Sequence, residues 1–264
     1  MMNKIYAKTF LCFFILTFST GYLLSQTPSG ETIKPILLDK EALSGLGLQK
    51  VKLKEEPERA FFQRRVFRGE DLSVYIVSSE SWKTSFDNFS FDEFVYILNG
   101  RAKVNAVGGA EQTFNSHEFF AIPKGYTGTW EVMSGNNYHY ELSVIATQRA
   151  SETDTAPNKN PMLLDKLKVS GTDIQLDEDG HYETILFKGD ELKISIKAEK
   201  PSVAHAMEVQ NDQLLCILSG QVQITDFSGI EKSFYTGDFL VLPKGFKGSW
   251  KSNGHGLFKA IVVQ

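Results

Sequence analysis

Two stretches of this sequence occur twice, and they decide the fold. Residues 93–100 (EFVYILNG) and 119–130 (FFAIPKGYTGTW) return 120 positions later as residues 213–220 (QLLCILSG) and 239–250 (FLVLPKGFKGSW). The 120-residue spacing holds without a gap from residue 67 to residue 130 of the first copy. A repeat of this length predicts two copies of one structural unit in a single chain.

The residues around these stretches predict strands. Residues 72–77 (LSVYIV) and 192–196 (LKISI) alternate between apolar and polar side chains, which is typical of half-buried strands. Glycine-containing turns at 107–109 and 227–229 stand where hairpins are expected. Residues 39–48 are the one place where a turn or two of helix is expected. Many short strands at regular spacing predict an all-β fold, with a sandwich or barrel in each half.

The first 25 residues have the pattern of a secretory signal peptide. Two lysines precede an apolar run at residues 10–18, which is too short for a membrane span of about 20 residues. We expect cleavage after Ser25, with Gly21 as the alternative, and export to the periplasm or the extracellular space. No integral membrane span would remain after cleavage, whereas an uncleaved anchor is the competing interpretation.

The net charge argues against nucleic acid as a partner, and the number of cysteines argues against an internal disulfide. Loss of residues 1–25 deletes Lys4 and Lys8 and no acidic residue, so the net charge falls by two, from -4 to -6. An acidic chain without a basic patch argues against nucleic acid as a partner. The same cleavage removes Cys12 and leaves Cys216 alone, which excludes an internal disulfide in the exported chain.

The sequence divides the chain into five parts. Residues 148–160 are polar, contain Pro157 and lack apolar periodicity, so they read as a linker between the two halves. The predicted organisation is a signal peptide at 1–25, a flexible lead-in at 26–34, a first domain at 35–147, the linker at 148–160 and a second domain at 161–264.

Both repeated stretches resemble the motifs of the cupin superfamily. Its first motif ends in a Glu followed by six residues and a Gly, a spacing that Glu93 and Gly100 match. Its second motif is a Gly, five residues and Pro-x-Gly, which Gly237 and Pro243 match, while His117 stands at the glycine position in the first half. The ending Pro-Lys-Gly-aromatic-x-Gly-x-Trp is similar to the branch that includes ureidoglycine aminohydrolase and ethanolamine-utilisation cupins. The resemblance implies a bicupin, with two tandem jelly-roll barrels.

The resemblance also implies a metal site, but the imidazole ligands of the family are missing here. The two spacings that fit the family's His-x-His pair place it on Phe86 with Asn88 or Asp87 with Phe89, and in the second half on Ala206 with Glu208 or Met207 with Val209. Gly128 and Gly248 replace the third His, and Gln213 replaces the second Glu. We therefore expect no family metal and no cofactor. A new metal site stays open, with these candidates: Asp87, Glu93 and His117 in the first half, and His205, Glu208 and Gln213 in the second.

Strand alternation predicts what faces the inside of each barrel. If Glu93 points inward, as the resemblance implies, Trp130 shares its barrel, and Gln213 shares the second barrel with Trp250. An aromatic wall with a few polar groups suits a small polar organic ligand, such as a sugar or an amino-acid derivative. His117 is a further ligand-binding candidate, or else an exposed loop histidine. The competing interpretation of the two tryptophans is that they plug the barrels.

Glu93 is also a candidate catalytic acid or base. A carboxyl group inside an apolar barrel has a raised pKa unless it is hydrogen-bonded, and it could exchange protons without a metal. His139 would form an acid–base pair with Glu93 if alternation turns it inward; otherwise Tyr138 and Tyr140 face Glu93. Three functions remain: a binding or structural module without the family metal, an enzyme on small nitrogenous or sugar-like substrates, and a protein–protein module or homodimer that uses outward aromatics such as Tyr96.

Overall fold

The computed structural model describes residues 33–54, 56–134, 138–148, 161–163 and 174–264. The predicted signal peptide, all but the last two residues of the predicted lead-in, and all but the first residue of the predicted linker lie outside these ranges. Within the described ranges, no helix is long and apolar enough to cross a membrane.

The first half of the chain is built almost entirely of strands. Its elements are β1 (Ile36–Leu37), α1 (Lys40–Leu43), β2 (Gln49–Val51), β3 (Phe61–Arg68), β4 (Leu72–Ser79), β5 (Trp82–Phe86), β6 (Glu93–Asn99), β7 (Arg101–Ala106), β8 (Glu111–Asn115), β9 (Phe119–Ile122), β10 (Gly128–Met133) and β11 (His139–Ala146). The short helix α1 lies where the sequence indicated a turn or two. Asp39 caps this helix by accepting a hydrogen bond from the Glu41 amide at 2.9 Å.

The second half repeats the same order of strands. Its elements are β12 (Met162–Leu163), β13 (His181–Lys188), β14 (Lys193–Glu199), β15 (His205–Glu208), β16 (Gln213–Ser219), β17 (Gln221–Asp226), β18 (Glu231–Tyr235), β19 (Phe239–Leu242), β20 (Lys247–Asn253) and β21 (Phe258–Val263). Strands β3 to β11 correspond in order to strands β13 to β21.

Each half folds into two antiparallel sheets that enclose a jelly-roll barrel. In the first barrel, a seven-stranded sheet (β12-β9-β6-β11-β4-β3-β2) lies opposite a four-stranded sheet (β5-β10-β7-β8). In the second, a six-stranded sheet (β1-β19-β16-β21-β14-β13) lies opposite a four-stranded sheet (β15-β20-β17-β18). The all-β, duplicated fold that the repeat predicted is therefore confirmed.

The two halves exchange one short strand each. Strand β1 pairs with β19 of the second barrel, with Ile36 opposite Val241. Strand β12 pairs with β9 of the first barrel, with Met162 opposite Ala121. Each of the predicted domain ranges therefore contains one strand that lies in the sheet of the other half.

Strand alternation sorts the apolar side chains into three clusters. On β6, Val95 and Ile97 face the inside of the first barrel, while Phe94 faces the second barrel. On β16, Leu215 faces the inside of the second barrel and Cys216 faces the first. The apolar cluster between the barrels, called the central cluster below, includes Leu72, Val74, Ile76, Phe94, Leu142 and Val144 from the first half and Leu192, Ile194, Leu214, Cys216, Val241, Ile261 and Val263 from the second.

Cys216 lies in the central cluster and Tyr96 packs against it, so neither side chain is available as a reactive or partner-binding group. Burial raises the pKa of the Cys216 thiol, so this residue packs as a neutral apolar group. The Tyr96 ring lies 5.1 Å from the Phe239 ring of the second barrel, measured between centroids. Tyr96, which the sequence offered as an outward aromatic for a partner protein, therefore packs against the other half of its own chain.

A fully buried aspartate ties the first half to the second. The Asp92 carboxylate accepts hydrogen bonds from the amides of Glu191 and Leu192 in the second half, at 2.6 and 3.1 Å. It also accepts one from the Lys124 amide in its own half, at 2.8 Å. One carboxylate thus satisfies three backbone donors that belong to both halves.

The same arrangement occurs in the opposite direction. The Asp212 carboxylate accepts hydrogen bonds from the amides of Asp71 and Leu72 in the first half, at 2.7 and 3.3 Å. The Lys244 amide of its own half completes the set at 2.8 Å. Because each half donates to the aspartate of the other, the interface is reciprocal.

A glycine makes each of these contacts sterically feasible. A methyl group added at Gly189 would lie 2.1 Å from an Asp92 carboxylate oxygen, and one added at Gly69 would lie 2.0 Å from an Asp212 oxygen. These distances are far below van der Waals contact, so the close approach of the two halves requires glycine at both positions.

Asp92→Ala should destabilise the whole chain. The change removes the acceptor of three backbone amides, and we expect the free energy of unfolding to fall by about 3 kcal/mol, because hydrogen bonds to charged groups contribute about 1.5–3 kcal/mol and buried donors would be left unpaired. Urea denaturation followed by circular dichroism measures this loss. Asp179→Ala, in an exposed turn, is the control and should change stability by less than about 0.5 kcal/mol. Equal stabilities for the two variants would contradict this account of the interface.

Candidate functional site

A cavity of about 110 Å³ lies inside the first barrel. Its lining residues come from both sheets and from the loops that precede β3 and β6: Arg59, Phe61, Gln63, Tyr75, Val77, Thr84, Phe86, Phe89, Phe91, Glu93, Trp130, Val132, Glu141, Ser143 and Ile145. Six of these fifteen side chains are aromatic. The cavity therefore has an apolar wall with a few polar groups, which is the usual composition of a small-molecule site.

Glu93 begins strand β6 and faces this cavity, with only 8% of its surface exposed. The Ser143 hydroxyl on the neighbouring strand β11 donates a short hydrogen bond to Glu93 Oε1. This bond helps to orient the carboxylate. Glu93 can therefore accept a hydrogen bond from a ligand or exchange a proton with it.

A second carboxylate reaches the cavity from strand β11. Residues 139, 141 and 143 lie on one face of this strand because side chains alternate along it. His139 Nε2 lies 2.7 Å from Glu141 Oε2, and both residues are buried. Alternation does turn His139 inward, but the structure pairs it with Glu141, whereas Glu93 pairs with Ser143.

Arg59 is the one cationic side chain among the residues that line the cavity. Its guanidinium lies 5.2 Å from the centre of the Phe61 ring and forms an ion pair with Glu56 at 3.0 Å. The same group donates hydrogen bonds to the hydroxyls of Thr84 at 3.2 Å and Ser79 at 3.3 Å. These contacts hold Arg59 in one orientation, and its Nε has no hydrogen-bond partner in the part of the chain that the structure describes.

The two predicted tryptophans lie at equivalent positions but in different surroundings. Trp250 packs in the apolar core of the second barrel, and its Nε1 donates a hydrogen bond of 2.6 Å to Glu199. Trp130 lines the cavity of the first barrel, and no acceptor for its buried Nε1 lies within the described residues. The counterpart of Glu199, 120 positions earlier, is Ser79, which accepts from Arg59 instead. The indole of the first barrel is therefore left with a donor that a ligand can use.

The second barrel replaces the polar face of β11 with apolar residues. Pairing with β4 and β14 aligns Val144 with Val263, an offset of 119 rather than 120. His139, Glu141 and Ser143 then correspond to Phe258, Ala260 and Val262, all of which belong to the core of the second barrel. This difference makes the first barrel the candidate site.

Gln213 occupies the position of Glu93 in the second barrel. Its Nε2 donates a hydrogen bond to Gln264 Oε1 at 3.1 Å, so its amide is paired within the second barrel. The structure does not bring Gln213 together with Trp250 through a polar contact, since the Trp250 indole donates to Glu199.

His117 lies away from the cavity. Its backbone has φ 68°, in the turn before β9, and its side chain is exposed. The Tyr96 hydroxyl lies 2.8 Å from His117 Nδ1, on the outer face of β6. His117 therefore does not share a pocket with Trp130. The matching position in the second half also has a positive φ and is occupied by Gly237, the residue that adopts this conformation most easily.

Most of the cavity residues were not identified from the sequence, and among them Arg59, Glu141 and Ser143 carry polar groups that matter for the site. Arg59 lies in a loop, where no alternation of apolar and polar residues indicates which way a side chain points. Glu141 and Ser143 share the inward face of β11 with His139, and the His-x-Glu-x-Ser pattern at alternating positions was a signal that could have identified them.

The donor set of the family metal site does not fit in either barrel. Phe86 and Phe89, at two of the positions that would hold the His pair, line the cavity with aromatic rings. A methyl group added at Gly128 would lie 2.2 Å from the Asn105 carbonyl oxygen, and one added at Gly248 would lie 2.3 Å from the Thr225 carbonyl oxygen. The position of the third His therefore has no room for any side chain on the present backbone.

The alternative ligand sets do not assemble either. Among the residues that the structure describes, no group of three or more His, Cys, Asp and Glu side chains could hold a metal ion. Asp87 and His117 are exposed in the first half, and His205 and Glu208 are exposed on β15 in the second. None of these four lines the cavity that contains Glu93.

Two jelly-roll barrels in one chain, each carrying the repeated cupin turn sequences, define this protein as a bicupin. The family model described as EutQ-like cupin domain matches residues 73–140 and 193–260, and the chain belongs to this family. No curated protein matches the chain in sequence.

Several solved structures share the fold across both barrels. A protein of unknown function of the DUF861 family from Pseudomonas syringae has a TM-score of 0.63 at 16% identity, covering 88% of this chain and 99% of its own. Protein Ylba from E. coli has a TM-score of 0.56 at 13% identity, with 88% and 91% covered. Salicylate 1,2-dioxygenase from Pseudoaminobacter salicylatoxidans has a TM-score of 0.58 at 11% identity, with 89% and 82% covered. At these identities the likeness shows the fold alone.

Trp130→Phe and Trp250→Phe should differ in stability. Trp250→Phe removes a hydrogen bond to a carboxylate, whereas Trp130→Phe removes an N–H for which the described part of the chain offers no acceptor. We expect Trp250→Phe to lower the free energy of unfolding by about 1.5 kcal/mol more than Trp130→Phe does. Chemical denaturation of the two variants side by side measures the difference. A larger loss for Trp130→Phe would show that its indole N–H is satisfied in the free protein.

Proposed function

We propose that this bicupin is an exported binding protein for a small polar organic molecule, and that the first barrel binds it without the family metal. The observation that carries the proposal is the contrast between the barrels. The first has a cavity with Glu93, Glu141, Ser143 and a Trp130 N–H that finds no acceptor among the described residues, while the second fills the positions of Glu141 and Ser143 with Ala260 and Val262.

The second barrel supports the first in this proposal. It shares the central cluster and holds the Asp212 contact, so it fixes the large sheet that carries Glu93 and Glu141. A binding site built on rigid strands keeps its polar groups in place before the ligand arrives, which lowers the entropic cost of binding. The apolar run at residues 10–18 is the support for export.

A second candidate function is an acid–base enzyme on small nitrogenous or sugar-like substrates at the same cavity. Two buried carboxylates face one space, and Glu93 is oriented by a hydroxyl donor.

One measurement distinguishes the binding proposal from the enzyme proposal. An NMR spectrum of a bound compound that is unchanged after a day with the protein supports binding; conversion by the native protein but not by Glu93→Gln supports the enzyme.

A cavity-filling pair of variants tests the binding proposal. Ile145→Trp places a large ring in the cavity, and Gln264→Trp introduces the same residue at the matching position of the second barrel, where it replaces the partner of Gln213. Thermal unfolding is measured with a panel of small amines, carboxylates, amino acids and sugars at about ten millimolar. We expect at least one compound to raise the melting temperature of the native protein and of Gln264→Trp by about 2 °C or more, and to leave Ile145→Trp unchanged.

Two outcomes would contradict the binding proposal. One is that no compound in the panel stabilises the native protein. The other is that the same compounds stabilise Ile145→Trp as much as the native protein, which would place the binding outside the first barrel. Far-ultraviolet circular dichroism of both variants shows whether the barrels have formed.

A further inference from the structure

We infer that the cavity of the first barrel selects a ligand with a carbonyl or carboxylate oxygen, and that this oxygen accepts a hydrogen bond from the Trp130 indole. This inference names the ligand class of the proposed binding function and rests on that function. Three observations carry it: a buried donor inside the first barrel, a carboxylate at the matching place in the second barrel, and the space that replaces this carboxylate in the first.

The donor is the indole N–H of Trp130. This side chain lines the cavity from strand β10 and is only 8% exposed, and its Nε1 has no acceptor anywhere in the described ranges. A buried N–H that makes no hydrogen bond raises the energy of the folded protein. A ligand oxygen that accepts from this N–H removes the cost, so the site distinguishes molecules with an acceptor at this point from molecules without one.

The second barrel shows which group fits beside this indole. The matching side chain, Trp250, donates to the Glu199 carboxylate at 2.6 Å, and His181 Nδ1 lies 3.5 Å from the same carboxylate. His181 and Glu199 are opposite each other in the pairing of β13 with β14. In the second barrel, an oxygen on a trigonal carbon therefore satisfies the indole N–H.

The first barrel has space where the second has this carboxylate. The positions of His181 and Glu199 are held by Phe61 and Ser79, which are opposite each other in the pairing of β3 with β4. A serine side chain does not extend as far as that of a glutamate. Phe61 and Trp130 both line the cavity. The cavity therefore extends toward the place that the Glu199 carboxylate fills in the other barrel.

The polar groups beside this space favour an oxygen that accepts without donating. Thr84 is opposite Trp130 in the pairing of β5 with β10, and its hydroxyl donates to Glu56 at 2.7 Å and accepts from Arg59 at 3.2 Å. Arg59 Nε is a second buried donor for which no described residue supplies an acceptor. Because two donors here lack acceptors, a further donor on the ligand would add to the cost, whereas a carbonyl or carboxylate oxygen reduces it.

The size of the cavity limits the compounds that can test the inference. An engineered protein cavity of about 150 Å³ accommodates benzene, so a cavity of about 110 Å³ admits about five non-hydrogen atoms. Butanone, propionate and 2-methylbut-1-ene have this size and share one shape, an ethyl group on a trigonal carbon. That carbon carries a neutral carbonyl oxygen in the first compound and a carboxylate in the second. In the third it carries a methylene group, which cannot accept a hydrogen bond.

The indole N–H signals in a nitrogen–proton correlation spectrum test the hydrogen bond directly. The chain has three tryptophans, and the signals are assigned with Trp130→Phe and Trp82→Phe. We expect at least one of the two oxygen compounds to move the Trp130 proton downfield, because a hydrogen bond to oxygen deshields it. The compound that binds more tightly shows whether the acceptor is neutral or charged. 2-Methylbut-1-ene should not cause this shift, and the Trp250 signal should stay in place because its proton is already bonded to Glu199.

Affinities of the two variants separate the Trp130 donor from the general effect of losing an indole. Trp82 is the control because its Nε1 is likewise buried without an acceptor among the described residues, but it lies outside the lining set. Titrations followed by backbone amide signals give the dissociation constants. Trp130→Phe should weaken the tighter oxygen compound by about ten-fold and leave 2-methylbut-1-ene unchanged, whereas Trp82→Phe should alter neither.

Ser79→Glu transfers the arrangement of the second barrel into the first. The new carboxylate should take the place of the ligand oxygen, so the Trp130 proton should move downfield without any ligand. Binding of the oxygen compounds should then weaken by about ten-fold. If this buried substitution prevents folding, the Trp130→Phe and Trp82→Phe results decide alone.

The outcomes separate the ligand class from the binding function. The oxygen inference would be overturned, with a binding cavity left in place, if the oxygen compounds bind without moving the Trp130 proton. Equal effects of Trp130→Phe on all three compounds, or a folded Ser79→Glu protein with an unmoved Trp130 signal, would overturn it as well. If none of the three compounds binds, the inference fails, and the binding function fails with it only if the wider panel of compounds also leaves the melting temperature unchanged.

Discussion

The structure depends on two buried carboxylates, Asp92 and Asp212, each of which accepts backbone hydrogen bonds from the other half of the chain. A buried charge is tolerated only when it is fully hydrogen-bonded, so each aspartate requires the opposite half to be in place. Gly69 and Gly189 allow the approach, and the central cluster supplies the apolar area that holds it. We therefore expect the two barrels to unfold together, with the aspartates fixing their arrangement and apolar burial in the central cluster supplying most of the stabilisation.

The two barrels differ in their interiors but resemble each other on the faces that meet in the central cluster. The faces that meet in the central cluster are apolar in both halves, because they must fit each other. The inner faces have no such constraint. One barrel holds a cavity lined by Glu93, Glu141 and Ser143, whereas in the other Phe258 packs against Trp250, with ring centroids 5.2 Å apart.

Much of the fold could be predicted from sequence, and part of the site. The repeat gave two barrels, and alternation along β6 correctly separated Val95 from Phe94 because a strand has a fixed period. The pairing of Glu141 with His139 was not foreseen. The last strands of the two halves are offset by 119 residues rather than 120, so an alignment at 120 does not place Glu141 opposite Ala260 and does not show the contrast between them. For His117 the sequence left two alternatives, a ligand-binding residue and an exposed loop histidine, and the structure shows the second: it lies exposed in a turn with positive φ. The exchanged strands are two residues each, too short for any periodicity to show.

The exchange of β1 and β12 bears on how the chain is synthesised. Translation delivers β1 long before its partner β19, and the β9 edge waits for β12, which follows the whole first barrel. A first half without the second therefore has an unfinished sheet and an unpaired donor strand. Cutting the gene between the halves would leave two fragments that each hold the missing strand of the other. Such fragments are complementary by construction, and co-expression offers them a route to reassemble that neither has alone.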